Sequence, residues 1–353
     1  MEENTRRLLI DYCKRYPELQ VQDIFKFLYQ SAFGCEHLVA SCEKVTERIF
    51  EEYTHSVFYE DDEIDKLDGN YVRVPLTYID RGLSIKTLCK LFMLSAKKEV
   101  DGSENLENKL KIAGQLAEEN LIPFSKEDFI KEKITWQKKG YPPVHHSENY
   151  RKAYNPSYRV ISKEYARYLP IFLELDKMLK CGNVKIALEG GSASGKTTLS
   201  QMLENIYDCT VFHMDDFFLQ MHQRTKARYK EIGGNIDWER FLQQVLVPLN
   251  NGQDITYEKF DCSTMCLGET ITVKPKNLTV IEGAYSMHVE LEKYYDFSVF
   301  LNVSDKIQKQ RILKRNTPEM AQRFFNEWIP LEKMYFDNTD IKKRCKLIIN
   351  INE

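Results

Sequence analysis

The chain has little that would tie it to a membrane, a metal cluster or an oxidising compartment. No window approaches the ~18 consecutive apolar residues of a membrane span, which argues against a transmembrane protein. The opening stretch MEENTRRLLIDYCKRYPEL lacks a basic segment followed by an unbroken apolar core, so no secretory signal is expected. CxxC pairs are absent, and the nine cysteines are scattered and odd in number. That pattern favours reduced thiols in a cytoplasmic protein over a disulfide framework. Cys262 and Cys266 stand four apart in DCSTMC, with no histidine or second pair nearby to complete a zinc site. Charge of one sign is not in excess either. A formal net charge of −3 gives no global reason to expect nucleic acid or an anionic membrane as partner, although it leaves room for a local basic site.

What is present suggests two domains, because 353 residues exceed the length at which a single core usually stops growing. In a first domain of residues 1–180, the first 140 show helical periods and few clear strands. TRRLLIDYCKRY, VQDIFKFLYQSAFGCEHLV and LSIKTLCKLFMLSAKKEV place apolar residues three and four apart. Ser84 and Ser125 are expected N-caps. KKGYPPVHHSENYRKAYNPSYRV reads as a loop-rich passage, since Pro142, Pro143 and Pro156 each remove a backbone donor. The helix of SKEYARYLPIFLELDKMLKCGN then leads to a boundary near Gly182. Beyond it, over residues 183–353, short apolar runs (VKIALEG, CTVFHMD, LTVIEGA, DFSVFLNV, CKLIIN) alternate with helical stretches. This predicts an α/β domain with a parallel sheet covered by helices on both faces, preceded by a mainly α-helical domain. DITYEKFD and ETITVKP are expected to pair outside that sheet.

The α/β part opens on ALEGGSASGKTTLSQ. Gly190, four residues, then Gly195, Lys196 and Thr197 complete the G-x-x-x-x-G-K-[ST] pattern between a strand and a helix. Glycines let successive backbone N–H groups converge on phosphate oxygens, and the helix start adds favourable partial charge. Gly190, Gly191, Ser192, Ala193, Ser194, Gly195, Lys196, Thr197 and Thr198 are therefore the expected nucleotide-binding residues, with ATP and Mg²⁺ as the ligands. Lys196 should reach the β- and γ-phosphates and Thr197 the metal. The next apolar run ends in Asp215 and Asp216. A carboxylate there can steer or remove the proton of an attacking hydroxyl, and on an extended backbone only one of two adjacent side chains faces it.

HMDDFF, followed by GGNIDWERF, YEKFD, VIEGAYS and RILKR, resembles the uridine kinase, phosphoribulokinase and pantothenate kinase group of P-loop small-molecule kinases over roughly residues 183–350. The resemblance implies a catalytic base at Asp215, in the place of the Asp of the group's D-S-F-Y type motif; here Asp216 replaces the Ser and Phe218 the Tyr. It implies a metal-site carboxylate at Glu282, beside Thr197 and Asp215, and a lid carrying Arg311, Arg315 and Arg323 whose guanidinium groups can stabilise charge on the transferred phosphoryl group. Asp237, Tyr257 and Asp261 align with segments that line the acceptor pocket. Arg224 and Arg228, in the loop after Asp215, can meet an anionic acceptor.

In the first half, Cys35, Glu36, His37, His145 and His146 bring metal or acid–base chemistry to mind, without metal-ligand spacing. Arg151, Lys152 and Arg159 with Tyr150, Tyr154 and Tyr158 form either a polar binding surface or a tyrosine-rich packing strip. The expected activity is transfer of a γ-phosphoryl group from ATP to a small-molecule hydroxyl, a nucleoside first among candidates. Two alternatives stand beside it: an RNA or protein acceptor delivered by the first half, and a nucleotide-hydrolysing switch.

Overall fold

The computed structural model describes residues 2–35, 41–55, 63–96 and 102–351. The chain divides into two compact units, Met1–Asp176 and Lys177–Glu353, and the division falls inside the helix Leu169–Leu179. Among the described residues, no helix is long and apolar enough to cross a membrane.

Helices dominate the first unit, among them Glu2–Arg15, Val21–Phe33, Cys42–His55, Ile85–Ala96, Ser103–Glu118 and Lys126–Gln137. Their three-and-four spacing buries one stripe each, as with Ile24, Phe27 and Leu28 in Val21–Phe33 and Leu88, Leu91 and Phe92 in Ile85–Ala96. Polar side chains close their open first turns. Ser84 Oγ accepts from the Thr87 N–H at 3.0 Å, and Ser125 Oγ from the Asp128 N–H at 3.1 Å.

This unit also contains a sheet that its periodicity did not announce. Strands β1 (Asp65–Lys66), β2 (Tyr71–Pro75) and β3 (Tyr158–Ser162) pair antiparallel in the order β1-β2-β3. β3 lies in the stretch expected to be a loop, which also forms the short helix Glu148–Tyr154, capped by Ser147. The reason is a distant partner. Val72 faces Ile161 and Arg73 faces Val160 across the register, so β3 is made by pairing and burial, not by local preference.

His145 and His146 part company. His145 is exposed, whereas His146 is buried with Nδ1 2.8 Å from Asp23 Oδ1 and Nε2 2.7 Å from the Tyr158 hydroxyl. Both ring nitrogens are engaged, so His146 is not available to a metal. Cys35 is buried, its Sγ 3.6 Å from the Val160 carbonyl oxygen. Glu36 and His37 lie outside the described residues.

Burial pushes the His146 imidazole down to about 3, against the opposing hydrogen bond to Asp23. Asp23, despite its own burial, is held below the usual carboxylate range by hydrogen bonds from His146, Ser147 and Gln20. The unfolded chain takes up a proton on this histidine near pH 6.5, while the fold refuses it down to about 3. Stability is therefore complete above pH 6.5 and drains away as pH falls through that window, and Asp23 adds a loss of the same sign lower down. Urea midpoints measured between pH 7 and pH 4 check this. Native chain should lose more over the interval than His146→Gln, and an equal loss would remove His146 from the account.

In the second unit, strands β4 (Val184–Glu189), β5 (Cys209–His213), β6 (Ile255–Asp261), β7 (Cys266–Val273), β8 (Leu278–Glu282), β9 (Phe297–Val303) and β10 (Leu347–Ile351) follow in chain order. Five of them form an all-parallel sheet in the order β10-β9-β4-β8-β5. β6 and β7 make a separate antiparallel hairpin. Each residue of β8 and the first five of β9 are buried, as expected where helices cover both faces. Because β5 lies beyond β8 on one side of β4 and β9 on the other, connections diverge at the carboxyl end of β4. Such a divergence leaves a crevice in parallel sheets. One expectation needs correction. Asp215 and Asp216 do not sit on extended backbone, because the chain enters a 3₁₀ turn, Met214–Phe217, directly after β5. Their side chains still diverge, since three residues complete a 3₁₀ turn.

Candidate active site

The carboxyl end of β4 delivers the loop 190–195 into that crevice. Ile186, Ala187 and Leu188 are fully buried and anchor the strand, and the helix Lys196–Ile206 leads away. Gly190 has φ +145, and a Cβ there would stand 2.7 Å from the Leu301 carbonyl oxygen, so only glycine fits. Lys196 folds over the loop, its Nζ donating to Gly190 O at 2.7 Å and Gly191 O at 3.0 Å. The Ser194 hydroxyl is buried, with no hydrogen-bond partner among the described residues. A buried orphan hydroxyl on a glycine-bounded loop at a helix start suits a phosphate oxygen.

Register brings the other polar groups alongside. Glu282, the last residue of β8, faces Leu188 of β4 on one side and His213 of β5 on the other. Its Oε1 accepts from the Thr197 hydroxyl at 3.2 Å and lies 2.6 Å from His213 Nδ1. That hydrogen bond raises the His213 imidazole above its ordinary value. Asp215 is open to solvent in the 3₁₀ turn that follows β5. Desolvation there raises its carboxyl above the usual range; Lys196 opposes the rise and Glu282 adds to it. Asp216 is buried and turns to Lys259, whose Nζ is 3.0 Å from its Oδ1. Thr197 and Glu282, two oxygen donors in contact with Asp215 close by, fit a small divalent cation that takes oxygen ligands from one or two carboxylates and a bound phosphate.

Other residues brace the loop. Gln308 Nε2 donates to Ser192 O at 2.9 Å, and Arg311 Nη1 to Ala193 O and Ser194 O at 3.1 and 3.3 Å. Glu332 is buried and accepts from the Ser192 N–H and hydroxyl. Burial raises its carboxyl above the usual range, against Lys196 and the Ser192 hydrogen bonds. Glu189, at the end of β4, accepts from the backbone N–H groups of Gly190, Tyr285 and Met287 and from the Tyr335 hydroxyl. Its complete burial pushes it up to about 7.

The remaining expected residues divide. Arg315 stacks near the Phe324 ring and Arg323 pairs with Glu327, both exposed, so the two arginines do not join Arg311 at the loop. Asp237 is buried as an N-cap, accepting from Arg240 N–H and pairing with Arg240 Nε at 3.2 Å. Arg228 is taken up by Glu239, Gly234 O and Ile236 O. Tyr257 packs in the core against Phe212 and Phe217. Asp237 and Arg228 thus spend their polar groups on neighbours in the fold, and Tyr257 its ring on core packing. Arg224 donates from Nε to the Leu219 carbonyl oxygen at 2.9 Å and lies over the Phe260 ring of the hairpin. Asp261 is itself tied to Ser263 in the hairpin turn.

Residues 185–323 match the phosphoribulokinase / uridine kinase family and carry a domain of that kind. Uridine kinase-like protein 4 of Arabidopsis thaliana is 27% identical over 142 residues, 38% of this chain and 30% of that protein. The match thus spans under a third of the relative's length. Among solved structures, a possible uridine kinase from Bacillus stearothermophilus is similar at 22% identity and a TM-score of 0.38, covering 50% of this chain and 96% of the other. Shikimate kinase from Bacteroides thetaiotaomicron is similar at 16% identity and a TM-score of 0.24, covering 47% and 85%.

Proposed function

We propose that the second unit transfers the γ-phosphoryl group of ATP to a hydroxyl of a small molecule, with nucleosides the first class to test. The observation that carries this reading is the convergence of Lys196, Thr197, Glu282 and Asp215 where β4, β8 and β5 end side by side. Lys196 and the N–H groups of the loop hold the phosphates. Asp215, open to solvent and with its basicity raised, takes the proton of the attacking hydroxyl. Arg311 and Glu332 act through the loop, fixing the carbonyl and N–H groups that define its shape. Thr197 and Glu282 are the residues that would hold Mg²⁺, which when bound neutralises charge on the phosphates. A kinase must favour an alcohol over water, and the rim formed by Arg224, Lys259 and the β6–β7 hairpin is where acceptor recognition belongs.

The test is incubation of the full chain with γ-labelled ATP, Mg²⁺ and a metabolite pool containing nucleosides. Label is expected in one small hydroxyl compound. Label released only as free phosphate would replace the kinase reading with a hydrolytic switch, and label on protein or RNA would move the acceptor to a macromolecule.

A further inference from the structure

The first unit encloses two cations, Arg73 and Lys26, whose hydrogen-bond capacity no carboxylate among the described residues fills. Arg73 sits mid-strand in β2, 1% exposed. Its Nε donates to Gln30 Oε1 at 2.8 Å and its Nη1 to the Tyr12 hydroxyl at 3.2 Å. Nη2 is buried and has no hydrogen-bond partner among the described residues. The nearest paired carboxylate, Asp65, lies 3.8 Å from Nη1, beyond hydrogen-bond reach, and is itself engaged by Arg15. Rings of Tyr12, Phe27 and Tyr158 face the guanidinium at 4.8 to 5.5 Å, which returns part of the lost hydration but supplies no acceptor for Nη2.

A second cation joins it. Lys26 shares with Asp23 and Gln30 one face of the helix Val21–Phe33. It is half-buried, and among the described residues its Nζ donates to the Val144 carbonyl oxygen alone, at 3.1 Å. Burial pushes Lys26 down to about 8, with Arg73 and Arg151 adding to the fall. The ionised Asp23 carboxylate favours the charged form of Lys26, yet its oxygens make their hydrogen bonds elsewhere. It accepts from His146 Nδ1, the Ser147 N–H and hydroxyl, and the Gln20 N–H. Because Asp23 can only accept, the His146 proton lies on Nδ1, and Nε2 accepts the Tyr158 hydroxyl proton at 2.7 Å. The chain Asp23–His146–Tyr158 therefore locks the Tyr158 ring in place over Arg73. Tyr158 and Lys26 are the members of the group that reach solvent.

We propose that Arg73 and Lys26, framed by Tyr158 and Tyr12, form a binding site for a small oxyanion, the phosphate or carboxylate group of a metabolite. An oxyanion offers the acceptors that the unpartnered guanidinium nitrogen and the ammonium lack, and a planar fork of donors suits it better than a single point charge. The two groups with unfilled donors, Arg73 and Lys26, are both positive and so favour an anion. The site belongs to the first unit alone and does not depend on the kinase reading.

Inorganic phosphate is the probe. Since the loop at Lys196 also binds phosphate under the proposed function, the titration uses the full chain carrying Lys196→Ala, at ionic strength held constant with potassium chloride. Calorimetry is expected to show one saturable phosphate site. Adding Lys26→Met should weaken it by roughly tenfold or more, the worth of one charged hydrogen bond. Lys26 makes one backbone contact, so this variant keeps the fold, whereas Arg73→Met serves as a second variant where circular dichroism shows it folded. A parallel titration with acetate assigns the source: competition with phosphate indicates a carboxylate ligand as well, and no competition a phosphate ester. Absence of saturable binding in the Lys196→Ala chain, or binding unchanged by Lys26→Met, overturns the proposal.

Discussion

Replacing Asp215 with asparagine is expected to lower phosphoryl transfer by roughly 10²–10⁴-fold, the range contributed by a positioned proton acceptor. Nucleotide binding should stay close to that of the native chain, because no hydrogen bond joins Asp215 to the loop 190–195 among the described residues, and Lys196, which holds the loop carbonyls, is left in place. The adjacent carboxylate supplies the control. Asp216 is buried toward Lys259, and Asp216→Asn removes that ion pair while leaving the Asp215 carboxylate in place. Its effect should fall on acceptor affinity through Lys259, with a loss at saturating acceptor small beside that of Asp215→Asn. Product formation with the labelled acceptor and a separate nucleotide titration read the two quantities apart. Near-normal transfer in Asp215→Asn, or equal losses in the two variants, would sink the assignment.

The Asp215–Asp216 pair was legible in the sequence because its signal is local, two carboxylates at a strand end with a phosphate loop one helix earlier, while the choice of Asp215 came from the family resemblance. The same holds for the sheet. β4, β5, β8 and β9 read as apolar runs because helices cover both faces, and buried strands need no partner to announce them. What escaped was made by distance. Glu332 reaches Ser192 across 140 residues, and nothing near either position signals the other. His213 meets Glu282 only through the register of β5 with β8. The four-residue spacing of Arg311 and Arg315 gave a shared helix face, but Arg311 alone turns to the loop carbonyls, while Arg315 lies near Phe324. Likewise β2 hides a buried arginine in YVRVP, and β3 sits between prolines, so neither reads as a strand until they are paired.

A second large effect is expected at Lys196. An ammonium has three donors, and Lys196 spends two on Gly190 O and Gly191 O, which leaves one for a bound phosphate. The same charge opposes the burial of Glu189, Asp215 and Glu332, three carboxylates drawn from different strands and helices. Lys196→Met therefore removes a phosphate donor and the counter-charge of three acidic groups together. Loss of transfer by about 10²–10³-fold or more follows from the donor alone, as for other preorganised donors to a developing anion. Loss of the counter-charge has a separate signature. The variant should melt at a lower temperature than the native chain at neutral pH, because Glu189 and Glu332 are left buried without the cation that faces them. Adding Glu332→Gln to Lys196→Met should recover part of that melting temperature and none of the transfer. If the double variant melts no higher than Lys196→Met, the lysine is a phosphate ligand only, and the acidic groups around the loop are held by their hydrogen bonds without it.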